Sequence, residues 1–117
     1  MSTTPFEQIA NLDRRVHDPA RLSILTALSA CERADFLFLQ RLTGLTKGNL
    51  SSHLSKLEEA GLVEIEKRFV KKKTQTLVGL SAAGRETIEG YWREMEQLRE
   101  SAARWQPQAG LMMPFPT

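Results

Sequence analysis

The sequence predicts a mainly α fold with a small β-hairpin, and three observations carry that expectation. Five stretches repeat apolar residues at steps of three and four, the spacing of amphipathic helices. Residues 62–80 instead place two short apolar runs around a cluster of lysines, the pattern of two paired strands. The length of 117 residues and the 41% hydrophobic content suffice for one compact core but not for two independent ones. The expected division is one domain over residues 1–106 and an irregular tail over 107–117 that is loose or packed through Leu111, Met112 and Phe115.

The first helix is expected over residues 6–16, where Phe6, Ile9, Leu12 and Val16 form one stripe. Asp18 followed by Pro19 marks a second start. The carboxylate accepts from free amides of the first turn, and proline lacks a donor where none is needed. Leu22, Leu25 and Leu28 form the buried stripe of this helix. A third helix is expected over residues 34–42, closed by Gly44, which permits the left-handed backbone of a C-terminal cap. After a tight turn, Thr46 caps a fourth helix with Leu50, Leu54 and Leu57 on one face, and Gly61 ends it. Two short helices so closely joined form a helix-turn-helix candidate.

Charge singles out the same region. The chain's net charge is only +2, which neither demands nor excludes a polyanionic partner. Residues 46–73, however, carry seven basic and four acidic side chains, while the stretch before them balances and the stretch after them has a net charge of −1. At helical pitch, Gly48, Asn49, Ser52, Ser55 and Lys56 point away from the leucine stripe, with Lys47 and Ser51 on its flanks. A face this small and polar suits the major groove of DNA: asparagine pairs with adenine, and serine and lysine reach bases or phosphates. An ordinary solvated face has the same composition. Beyond it come Leu62, Val63 and Ile65, the basic run Lys67-Arg68-Phe69-Val70-Lys71-Lys72-Lys73, and then Thr76, Val78 and Leu80. Two strands around a basic turn beside a helix-turn-helix make a wing. Its cations would neutralise phosphates of the flanking backbone or enter the minor groove. The alternative is a solubilising loop that blunts a strand edge.

Three segments in this order and spacing resemble the winged-helix regulators of the MarR and ArsR families. They are Leu45-Thr46-Lys47-Gly48-Asn49-Leu50-Ser51-Ser52-His53-Leu54, Leu57-Glu58-Glu59-Ala60-Gly61-Leu62-Val63, and Leu80-Ser81-Ala82-Ala83-Gly84-Arg85, and the resemblance covers residues 18–98. It implies a winged helix-turn-helix that binds DNA as a repressor or activator. It makes Lys47, Gly48, Asn49, Ser51 and Ser52 the reading positions and residues 67–73 the wing. The paired-cysteine box of metal-sensing relatives has no counterpart over residues 28–35, where only Cys31 stands. His53 lies near the edge of the leucine stripe, placed for packing or for a phosphate, and His17 has no ligand partner at a helical interval.

The last helix is expected from a Ser81 cap to about Trp105, with Ile88, Tyr91, Met95, Leu98, Ala102 and Trp105 at steps of three and four. With Phe6 and Ile9, this stripe is read as a homodimer interface, so that N- and C-terminal dimerisation helices flank the domain. The other reading is that the stripe covers the chain's own core. A dimer would hold two recognition helices about 34–36 Å apart, the spacing of a pseudo-palindromic operator. Trp92, Trp105, Tyr91 and Met95 either line an effector pocket or simply pack, and the effector stays unnamed. No nucleophile elbow, phosphate-binding glycine loop or clustered metal ligand occurs, so neither catalysis nor a cofactor is expected. One cysteine and the lack of a leader or of ~20 consecutive apolar residues fit a cytoplasmic setting with no membrane partner. A winged-helix module that binds protein in place of DNA is the competing class.

Overall fold

A computed structural model describes residues 3–107; the tail contacts expected of Leu111, Met112 and Phe115 lie outside the described residues. In chain order the elements are α1 (Pro5–Ala10), α2 (Pro19–Ser29), β1 (Ala34–Asp35), α3 (Phe36–Thr43), α4 (Lys47–Glu59), β2 (Val63–Val70), β3 (Lys73–Leu80) and α5 (Ala82–Arg104). Each helix begins where a side-chain oxygen takes up a free backbone amide three residues on. Thr4, Asp18, Asp35, Thr46 and Ser81 do so at 2.8–3.1 Å. At the other end of α3, Gly44 adopts φ 70°, the left-handed cap expected of it.

The core is a single cluster in which α2 contributes Ile24, Leu25 and Leu28, and α4 contributes Leu50, Leu54 and Leu57. Leu22 is only partly buried against this cluster, and Ile24, four residues before Leu28, is fully buried beside the expected stripe. The strands form an antiparallel sheet in the order β1-β3-β2. The pairs Ala34↔Val78 and Asp35↔Leu77 make β1 a third strand where a helical start was expected. Asp35 accounts for the difference. Its carboxylate caps α3 by accepting from the Phe38 amide at 2.8 Å, which leaves Ala34 and the Asp35 backbone outside the helix and free to pair.

Two further expectations are corrected. The first helix stops at Ala10, with Asn11 as its C-cap, yet Leu12 and Val16 are still buried, in the turns that lead to α2. A helical stripe and a turn that folds back place the same residues inward. The basic segment 67–73, read as a turn, is mostly strand: the ladder continues to Val70↔Lys73, leaving Lys71 and Lys72 as the two-residue loop. Both have positive φ, 50° and 65°, the backbone that matches the right-handed twist of a hairpin.

Helix α5 packs along α1 and α2. Ile88, Tyr91 and Leu98 are buried against the chain's own core, and Met95 is half-buried on it. Three residues of the stripe read as a dimer seam are therefore already covered within one chain. His17 Nδ1 lies 2.7 Å from the Tyr91 hydroxyl, and burial pushes the Tyr91 phenol above its ordinary pKa. At the far end, Phe6 meets Trp105 edge to face with ring centres 5.3 Å apart.

Candidate nucleic-acid interface

Helix α4 is held by its leucines and presents its other side outward. Thr46, Lys47, Gly48, Asn49, Ser51, Ser52, Ser55 and Lys56 are all exposed. No acidic residue lies in its first turn, and Lys47 stands at the positive pole of the helix dipole. That costs the isolated helix a few tenths of a kcal/mol and favours an anion such as phosphate at that end. Gly48 is open on its outer side: a Cβ added there meets nothing within 4 Å. A partner's backbone can approach it closely.

The hairpin forms the opposite wall. Between it and α4 runs an open groove of about 1030 Å³. From α4 it is lined by Lys47, Ser51 and Ser55, and from the hairpin by Lys67, Lys71 and Lys73. Six residues named from sequence thus converge on one concavity, drawn from both expected binding elements. The register shows why: on α4, positions 47, 51 and 55 follow each other at steps of four along one edge. Gly48, Asn49, Ser52 and Lys56 are exposed outside the groove, and Lys72 sits at the hairpin tip. They face outward beside it.

Arg68 differs from the lysines. Its guanidinium donates to Glu66 at 2.9 Å, and Arg33 reaches the other oxygen of the same carboxylate at 2.7 Å. The hydrogen bond from Arg68, with the charge of Arg33 behind it, holds the Glu66 carboxyl below its usual range. Much of the Arg68 charge is thereby answered within the hairpin. Thr74, Gln75 and Thr76 of β3 also line the groove, as do Leu37 and Glu58. Of these, only Thr76 was marked by the strand pattern. Thr74 and Gln75 carried no charge or periodicity to single them out, and their place follows from the shortness of the turn.

His53 is partly buried, and its Nδ1 is enclosed without a hydrogen-bond partner. It does not line the groove: two residues from both Ser51 and Ser55, it lies on the other side of α4 from that edge. Among the described residues, no three His, Cys, Asp or Glu side chains group as a metal site, and no helix is long and apolar enough to cross a membrane.

A helix-turn-helix whose second helix shares a groove with a basic hairpin defines the class of winged-helix transcriptional regulators. A family model described as a winged helix DNA-binding domain matches residues 20–99, and the chain belongs to that family. Over 81 residues the chain is 37% identical to the uncharacterized protein MJ0432 of Methanocaldococcus jannaschii, covering 69% of this chain and 88% of that protein. The fold is similar to that of a transcriptional regulator homologue from Pyrococcus horikoshii OT3, with a TM-score of 0.75, 26% identity, and coverage of 84% of this chain and 96% of that one. It is also similar to a MarR-family transcriptional regulator from Silicibacter pomeroyi, at a TM-score of 0.59 and 24% identity, covering 74% of this chain and 57% of that one.

Proposed function

We propose that the protein regulates transcription as a homodimer, each copy laying α4 into a major groove of a pseudo-palindromic operator while its hairpin takes the flanking backbone or minor groove. The observation that carries this reading is the convergence of Lys47, Ser51 and Ser55 with Lys67, Lys71 and Lys73 on one groove. Lysines on both walls match a polyanion that runs between them, and the short residues between them leave room for it. Asn49, exposed on α4, is the residue suited to adenine. Catalysis plays no part in this reading, and its setting is the cytoplasm.

The second copy docks on α1 and α5. The exposed aromatic surface of these helices supports that placement: Phe6 is 50% exposed, Trp92 45% and Trp105 39%. Phe6 and Trp105 remain from the seam read in sequence, with Ile9, Met95 and Ala102 half-covered beside them. Ile88, Tyr91 and Leu98 support the helix from within. An effector of any kind would act by favouring one angle between the two α4 helices.

The test is binding of the purified protein to a duplex from its own upstream region, beside a random duplex, at two salt concentrations. Salt-sensitive binding with preference for the upstream duplex is expected, because counterion release reports phosphate contacts and competition reports reading. Asn49→Ala is expected to lower that preference more than it lowers random-duplex affinity. Equal losses on both would remove base readout by Asn49. Trp105→Glu should shift the dimer toward monomer in dilute sedimentation, and an unchanged mass would refute the α1–α5 interface.

A further inference from the structure

Phe69 is the most exposed of the large apolar side chains among the described residues, at 75%. Nothing in the chain's own packing explains an aromatic ring there. On β2 the alternate residues Val63, Ile65, Lys67 and Phe69 share one face, which is buried at its start and leaves the body of the protein at its end. Lys67 on that face lines the groove, and so does Thr74, the residue paired with Phe69 across the hairpin. The ring therefore shares the strand face that brings Lys67 and Thr74 to the groove, and stands outside the groove's lining, near the hairpin tip.

Its surroundings select the partner. Residues 67–73 hold five cations and no acid, and the carboxylate nearest in sequence, Glu66, is occupied by Arg68 and Arg33, which leaves Asp35 and Glu58 as the acids that line the groove against Lys47, Lys67, Lys71 and Lys73. A ring among lysines fits a surface that alternates anions with flat apolar groups, as a DNA groove alternates phosphates with sugars and bases. A flat anionic bilayer has the charge but does not enter a concavity with α4 as its other wall. The support is also stiff: the ladder runs to Val70↔Lys73, and the loop consists of Lys71 and Lys72 alone. A wedge needs such rigidity, because a tip that folds away transmits no force to the duplex.

We infer that Phe69 is a wedge that enters the minor groove of bound DNA beside the α4 contact, prying at a base step and bending the duplex. The inference rests on the DNA-binding reading above and adds a specificity-determining residue to it. Flexible steps such as TA or CA/TG open most readily, so the wedge selects sequence at a fixed distance from the α4 contacts without hydrogen-bonding to a base.

The experiment measures affinity and end-to-end energy transfer on an end-labelled duplex from the chain's own upstream region, for the wild type, Phe69→Ala and Phe69→Leu. The wild type should bend the duplex, and Phe69→Ala should bind about tenfold more weakly with the bend lost, consistent with the loss of a few favourable apolar contacts. Its salt slope should be unchanged because no charge is removed, and its melting temperature should hold because the ring is exposed. Phe69→Leu, which keeps apolar bulk, should retain part of the bend. Phe69→Ala that binds and bends as the wild type does would overturn the inference. So would a loss confined to binding of phosphatidylglycerol vesicles. A wild type that binds no duplex even at low salt would remove the DNA-binding reading itself, and the wedge with it.

Discussion

At its root, the β2–β3 hairpin is held from every side. Val63 and Val78 are buried, the Ser81 hydroxyl donates to the Gly61 carbonyl at 2.6 Å, the Ser81 amide donates to the Leu62 carbonyl at 3.1 Å, and Gly84 lies directly against the Leu62 backbone. At its tip the same two strands carry Phe69, Val70 and Lys73 into solvent, joined by Lys71 and Lys72 in a conformation that L side chains seldom adopt. Ladder pairing is continuous between the two ends. The difference lies entirely in what the side chains meet. The root is packed and the tip is not, so substitutions at the two ends should act on different measurements.

The largest effect is expected at the root. A methyl group on Gly84 would overlap the Leu62 carbonyl, a backbone group with nowhere to go. Gly84→Ala should therefore cost about 3 kcal/mol or more in a urea melt, at the severe end of overpacking. Gly90→Ala, on the same helix with open space around it, should instead stabilise by about 0.5–1 kcal/mol. Equal melts for the two variants would mean that the Gly84–Leu62 contact does not anchor the hairpin.

At the tip the sign reverses. Lys71→Asn with Lys72→Gly supplies the residues that a loop with two positive φ values favours, and should raise stability by about 1 kcal/mol. The same double variant removes two cations and should reduce the slope of log affinity against log salt by nearly 2 units, at about 0.9 per phosphate lost. A gain in stability with an unchanged salt slope would show that the tip lysines make no phosphate contact.

This contrast also explains what could be read from the amino acids alone. The leucines of α4, the Asp18 and Thr46 caps and the Gly44 stop were legible because local chemistry and tertiary packing demand the same residues there. The hairpin tip was not, since lysines are poor choices for a tight two-residue loop and suggested a longer one. Strand β1 was hidden for a related reason: two residues have no period, and only the partner strand β3 defines them. On α5 the stripe was legible but its destination was not. Ile88, Tyr91 and Leu98 have the spacing of a seam, and whether that seam faces a second chain or α1 and α2 depends on contacts distant in sequence. Among the site residues, charge marked the lysines, while Thr74 and Gln75 reach the groove only through the strand register.

Helix α4 repeats the contrast within a single turn. Leu50 is fully buried while Gly48, two residues earlier, faces open space. Gly48→Ala should stabilise the free protein by about 0.5–1 kcal/mol through helix propensity, with a higher melting temperature. It should also weaken DNA binding, because the added methyl group occupies the space that a close-lying phosphate backbone needs. A variant that is more stable and binds DNA as tightly as the wild type would show that the open face of Gly48 is not part of the interface.

The smallest effect is expected from pH, in the body of the protein. Asp18 caps α2, and the hydrogen bond from the Arg21 amide, helped by the fields of Arg21 and His53, outweighs burial and holds its carboxyl below the usual carboxylate range. A carboxylate whose pKa is lower in the folded than in the unfolded state stabilises the fold above the unfolded pKa, and that contribution is lost as pH falls through the folded one. The window opens below about pH 4. Asp13, hydrogen-bonded to Arg15 and also depressed, titrates in the same window. Asp18→Asn keeps an N-cap but no longer titrates, so its melting temperature should start slightly lower at neutral pH and fall less steeply in acid than that of the wild type. If the two acid limbs run parallel, Asp18 is not among the groups that make the fold sensitive to acid.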